Sequence, residues 1–155
     1  MKFYRKPLRL STVFQSYDPP LYFITFCTLH RRPILANTPV HDAFTCYGRE
    51  AEKHGIGVGN YVIMPDHVHL FIRMAVERSV GVWLKGLKRA LGRPLREDRD
   101  EKSLWQPGFF DHLVRRDESY AEKWEYVRQN PVRKGLVSLP EEWPYQGEIV
   151  AIRGA

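Results

Sequence analysis

"GVGNYVIMPDHVHLFIRM", residues Gly57 to Met74, is the stretch whose reading decides the fold. It holds two runs, "GVGNYVIM" and "HVHLFIRM", rich in β-branched and aromatic residues. Pro65-Asp66 between them suits a hairpin turn. Side chains alternate across a strand, so Val68, Leu70 and Ile72 point one way while His67 and His69 point the other. The aliphatic set suits a core under helices. Both imidazoles are left on the opposite face, close enough to grip one ion.

Upstream, "LYFITFCTL" (Leu21–Leu29) has the look of a buried strand, and "RRPIL" follows as a basic turn. From Thr38 to His54 the pattern predicts a helix, with Thr38 as cap, Pro39 in the first turn and Gly55 as stop. Downstream, Ser79 opens a second helix over Ser79–Arg93. A fourth strand is expected over Phe109 to Val114, and a third helix from Glu118 to Asn130, halted by Pro131. The tail after it reads mostly as loop.

The order β-α-β-β-α-β-α implies an α+β sandwich of the split-βαβ, ferredoxin-like kind. One antiparallel sheet would carry helices on one face, with an additional C-terminal helix, and leave the other face for a ligand. The expected organisation is a single domain over 1–155: a basic extended arm over 1–20, a core over 21–143 and a tail over 144–155.

Composition agrees with one compact domain: 155 residues, 43% hydrophobic and 27% charged, with no internal repeat. No run approaches the roughly 18 apolar residues of a membrane span. The basic N-terminus is not followed by an apolar segment and cleavage site, so the expected location is the cytoplasm. Cys27 and Cys46 have no CxxC-type spacing, which argues against a zinc ribbon or a disulfide scaffold and predicts two small buried side chains. Lys and Arg outnumber Asp and Glu by 24 to 18, a net charge of +6 that tilts the partner toward a polyanion.

Two histidines make an incomplete metal site, and a lone HxH can equally be a pair of partly exposed strand residues. The third helix offers a further ligand. Tyr120, Trp124 and Val127 recur at helical spacing as a core stripe, and Tyr126 lies off it. Asn130 follows Tyr126 by about one turn, so a phenol and an amide oxygen share a side. Two nitrogens and one oxygen with open positions suit Mg²⁺ or Mn²⁺. The plainer alternatives stay open here: Asn130 as a helix C-terminal residue, Tyr126 as a surface aromatic, Tyr120 and Tyr145 as competing phenols. Asp66 reads as half of a turn pair and is left outside the ligand set.

"YVIMPDHVHLFI" together with "WQPGFFDHLVRRDESYAEKWEYVRQNPVRKGLV" resembles the single-tyrosine transposases of the HUH class, nearest to the REP-associated branch. "LYFITFCTLHRRPIL" is similar to that family's first strand and basic turn, so the resemblance runs from about Leu21 to Trp143. It implies that His67 and His69 hold the metal, that Asn130 supplies the third ligand and that Tyr126 is the nucleophile. It implies cleavage and rejoining of single-stranded DNA beside hairpins through a 5′-phosphotyrosine. The metal would act as a Lewis acid on the scissile phosphate. Whether the tyrosine works in a monomer or across a homodimer is left open by the resemblance.

Candidate strand-holding residues are Lys85, Lys88, Arg89 and Arg93 on the second helix, Arg31 and Arg32 in the basic turn, and Arg5, Lys6 and Arg9 in the arm. Each cluster could also be a solvated charged face. Three rivals remain: a non-catalytic hairpin-binding regulator, a water-using metal nuclease, and, weaker, a zinc hydrolase, for which the HxH lacks a nearby further ligand.

Overall fold

The structure, a computed structural model, describes residues 19–75, 78–95, 104–115 and 119–152. Residues 1–18 of the basic arm, including Arg5, Lys6 and Arg9, lie outside the described residues, as does the charged loop 96–103.

Five strands form one antiparallel sheet: β1 (Leu21–Cys27), β2 (Gly57–Ile63), β3 (His67–Arg73), β4 (Phe110–Val114) and β5 (Gln146–Glu148), in the order β4-β1-β3-β2-β5. The β2–β3 hairpin turns at Pro65-Asp66, closed by Met64 donating its amide to the carbonyl of His67. Between β1 and β2 runs α1 (Thr38–Ala51), and between β3 and β4 runs α2 (Val80–Gly92). Each helix joins strands separated by one neighbour. This is the split-βαβ arrangement the pattern implied.

Both helices cover the face of Val68, Leu70 and Ile72. Ile24, Phe26, Phe44, Val58, Trp83, Leu84 and Leu87 close a continuous core there. Asn37, rather than Thr38, caps α1 by accepting from the Val40 amide, because an Asn side chain two residues upstream of Pro39 reaches that orphan donor. Ser79 caps α2 as its position suggested. Cys46 is exposed rather than buried, on the outer side of α1, while Cys27 is half-buried. Among the described residues no helix is long and apolar enough to cross a membrane.

The second face is not left bare. The third helix, α3 (Tyr120–Arg128), lies on it and buries Tyr120 and Val127 against Leu21, Val62, Met64 and Phe71. A bulge in β2 between Val58 and Tyr61 makes the socket. There the backbone and side-chain nitrogens of Asn60 donate to the Tyr120 hydroxyl at 2.9 and 2.7 Å. Gly59 leaves room for that hydroxyl, which would lie 2.7 Å from any added Cβ. The bulge thus fixes where α3 begins.

Pro131 does not halt the chain's helical course. α3 ends at Arg128, Gln129 folds its amide back to the Tyr126 and Val127 carbonyls, and a four-residue α4 (Asn130–Arg133) follows. Proline is tolerated in that first turn because its missing N–H is an orphan there. The tail is mostly loop, as expected, but it is pinned to the sheet: its short β5 pairs with β2, and Trp143 donates its indole N–H to the Ile63 carbonyl at 3.0 Å.

Candidate active site

Pairing of β1 with β3 places Thr25 opposite His69 and Cys27 opposite His67. The two imidazole rings stand 4.7 Å apart between centroids at 77°, and Phe23 stacks on His69 at 5.4 Å. His67 Nδ1 lies 2.7 Å from Asp66 Oδ1. A carboxylate only accepts, so Nδ1 carries the proton and Nε2 keeps its lone pair. Thr25 Oγ1 is 2.7 Å from His69 Nδ1 and can accept in the same sense, which would leave Nε2 of His69 open as well. A ligand imidazole is ordinarily oriented this way, by a partner on its other nitrogen.

Burial drives both histidines toward the neutral form that binds metals. His69 is pushed down to about 3, chiefly by burial, with the neighbouring His67, Arg133 and Arg31 adding to it. Burial also lowers His67 against the opposing pull of Asp66, with Arg31 and Lys134 reinforcing the decrease. At Asp66 burial works against the charge, but hydrogen bonds and charges from His67 and Arg31 outweigh it and hold the carboxyl below its usual range.

Arg31 reaches this cluster from a strained turn. His30 and Arg31 have φ of 59° and 53°, the left-handed region that costs a non-glycine residue about 1–3 kcal/mol. Buried Thr28 braces the turn, donating its amide to the Asp66 carbonyl at 3.0 Å and its hydroxyl to the Arg32 carbonyl at 2.9 Å. Arg31 Nε then donates to Asp66 Oδ2 at 3.1 Å. Its Nη2 sits 3.3 Å from His67 Nδ1, but two donors do not bond, so Asp66 is its true partner.

Tyr126 and Asn130 come to the same place from α3 and the start of α4. A cleft of about 710 Å³ is lined by His69, Tyr126, Asn130, Phe23, Phe71, Phe110 and His112, among others. Tyr126 is 69% exposed, whereas Tyr120 is buried at 7% in the bulge socket and Tyr145 packs edge-on against Trp143 and His41. Of these three phenols, Tyr126 is the one open to a substrate. Arg133 Nη2 donates to Asn130 Oδ1 at 2.7 Å, and its guanidinium lies 4.2 Å over the Tyr126 ring.

The donor set fits a divalent cation: two neutral imidazoles pinned through Nδ1, and an amide oxygen in the cleft that one of them lines. Among the described residues no group of three or more His, Cys, Asp or Glu could hold a metal. The other basic candidates divide. Arg31 is at the site and Arg32 follows it half-buried. Lys85, Lys88, Arg89 and Arg93 belong to α2 and its end, across the sheet from the imidazoles. Lys88 Nζ donates to the Gly108 carbonyl at 3.0 Å, tying the segment before β4 to α2.

Thr25, Asp66, Phe110, His112 and Arg133 are site residues the sequence reading passed over. Thr25, Phe110 and His112 needed the strand register, which puts Phe110 beside Thr25 and His112 beside Phe23. Arg133 was visible in principle, three residues after Asn130.

A family model described as "Transposase IS200 like" matches residues 20–130. A Haemophilus influenzae protein provisionally named a REP-associated tyrosine transposase is 26% identical over 136 residues, covering 81% of this chain and 77% of that one. The REP-associated tyrosine transposase of Escherichia coli K12 is 24% identical over 90 residues, covering 57% of this chain and about half (52%) of its own length. The solved structure of a REP-associated tyrosine transposase bound to a REP hairpin superposes with a TM-score of 0.68 at 18% identity, covering 88% of this chain and 91% of that chain. A Deinococcus radiodurans protein solved as a candidate transposase gives 0.51 at 22% identity, covering 73% and 92%.

Proposed function

This chain belongs to the IS200-like transposase family, and from that premise we propose that it cuts and rejoins single-stranded DNA beside hairpins through Tyr126. The observation that carries the reading is the convergence of His69, Tyr126 and Asn130 on one cleft, with His67 beside His69. These groups come from segments of the chain some sixty residues apart, and a phenol 69% exposed in the cleft that His69 also lines has no core to fill. That His69, Tyr126 and Asn130 line one cleft of one chain, with His67 beside His69, supports a tyrosine acting on its own histidine pair. Monomer and homodimer are both compatible with it.

His67, His69 and Asn130 would hold Mg²⁺ or Mn²⁺, which would supply Lewis-acid polarisation of the scissile phosphate. The chain's own groups do the rest. Asp66 and Thr25 fix the imidazoles, and Arg31 adds a cation at the mouth of the site for a phosphate oxygen. The Tyr126 hydroxyl attacks phosphorus in line, a new O–P bond forms to the phenol, and the bond from phosphorus to the 3′-oxygen breaks. The phenol gives up its proton and the 3′-oxygen gains one, leaving a 5′-phosphotyrosine and a free 3′-hydroxyl. Because the phosphodiester is exchanged and not hydrolysed, a second 3′-hydroxyl can reverse the step without ATP. The relative solved on a REP hairpin supports a hairpin as the DNA partner here.

The test incubates the protein with a labelled hairpin oligonucleotide carrying a single-stranded flank and Mn²⁺, then resolves products under denaturing conditions. A protein-linked label in wild type that is absent in Tyr126→Phe is expected. Binding without any adduct would favour a non-catalytic regulator, and a cut strand bearing no protein would favour a hydrolytic nuclease.

A further inference from the structure

We propose that Arg133 is a positioning residue that holds the nucleophile and the third ligand in one frame, an inference that rests on the function proposed above. One guanidinium meets three parts of the site. Its Nη2 donates to Asn130 Oδ1 at 2.7 Å and to the Tyr126 carbonyl at 2.8 Å, and its carbon lies 4.2 Å from the Tyr126 ring centroid. An amide side chain can present either oxygen or NH₂ to a neighbour, and a donor on Oδ1 decides which. That oxygen has two lone pairs, so Arg133 orients it and leaves one for a cation. The ring stacked on the guanidinium is mostly exposed and would otherwise sample several rotamers.

The frame is stiff. α4 is closed by Gly135 at φ 74°, with Gly135 donating to the Val132 carbonyl and Leu136 to the Pro131 carbonyl, both at 2.9 Å. Arg133 itself donates its amide to the Gln129 carbonyl at 2.9 Å, which locks α4 onto the end of α3. A spacing of three residues puts Arg133 on the same side as Asn130. A plainer role, capping the C-terminal carbonyls of α3, explains the bond to the Tyr126 carbonyl. It does not explain the bond to Oδ1 or the stacked ring. Lysine, a point charge on a flexible stem, has no extended planar group to set over the Tyr126 ring while its nitrogen donates to both oxygens.

The experiment uses the full chain in five forms: wild type, Arg133→Lys, Arg133→Gln, Asn130→Ala, and Arg133→Gln combined with Asn130→Ala. Free Mn²⁺ is followed by electron paramagnetic resonance without DNA, melting temperature is measured, and adduct formation is timed in a single turnover. Both Arg133 variants should weaken Mn²⁺ binding about 10-fold or more, the usual scale for a group that orients a ligand. They should slow adduct formation while melting within a few degrees of wild type. In the Asn130→Ala background the same change should leave Mn²⁺ binding where it was. Wild-type Mn²⁺ affinity in Arg133→Gln, full rescue by Arg133→Lys, or an equal loss without Asn130 would overturn the inference alone. A wild type that forms no adduct would fail the parent reading, and the inference with it.

Discussion

Removing one oxygen atom far from the chemistry should loosen the helix that carries it. In Tyr120→Phe, the Asn60 amide and side-chain NH₂ lose the hydroxyl that both now donate to, at 2.9 and 2.7 Å. The site is closed: Tyr120 is buried, and its hydroxyl sits 2.7 Å from where a Cβ on Gly59 would be, so water has little room to replace it. Leaving a buried donor without a partner costs about 1–3 kcal/mol. For a domain of this size that corresponds to a fall of about 2–12 °C in melting temperature. Differential scanning calorimetry measures the fall. The ring itself is retained, so the edge contact with Phe71 at 4.8 Å survives and the fold should persist. Adduct formation per folded molecule should remain, because this phenol is not the nucleophile. An unchanged melting temperature would refute the bulge-socket reasoning. A normal fold with no adduct would move the chemistry from Tyr126 to Tyr120.

Asp66→Asn should weaken Mn²⁺ binding about 10- to 100-fold in a DNA-free titration, since the amide cannot hold His67 as the carboxylate does. Arg31→Ala should slow single-turnover adduct formation at saturating hairpin, by about 10-fold or more if one charge-assisted phosphate contact is lost. Lys85→Ala, on the far face, should leave that rate alone and show only in salt-dependent affinity. Gly135→Ala forces a side chain into φ 74° and should cost about 1–2 kcal/mol in a denaturant melt, with a loss of adduct formation greater than that of Lys85→Ala.

Much of this fold could be read because its hairpin is strongly patterned. The alternation His67-Val68-His69-Leu70 already says which face is core, and helices over Thr38–Ala51 and Val80–Gly92 follow from ordinary periodicity and stops. β5 escaped notice because "QGE" has no β-branched or aromatic residue; it is a strand only through its backbone pairing with the edge of β2. In the sequence Pro131 reads as a full stop, whereas proline in a first turn can open a helix as readily as end one. At the site, the residues that carry reactive groups stood out by type and spacing. Those that aim them did not. Thr25 reaches His69 through a strand pairing that no local pattern announces, and Asp66 looked like an ordinary turn residue until its carboxylate was seen on His67 Nδ1.

The most direct measurement of the central claim is mass spectrometry of the trapped adduct after trypsin. Cleavage after Lys123 and Arg128 releases Trp124–Arg128, in which Tyr126 is the one tyrosine, while Tyr120 falls in the preceding peptide. A nucleotide joined through its 5′-phosphate to Trp124–Arg128 is expected, together with a released strand ending in a 3′-hydroxyl. A nucleotide on any other peptide, or a cut strand with a free 5′-phosphate and unmodified Trp124–Arg128, would contradict it.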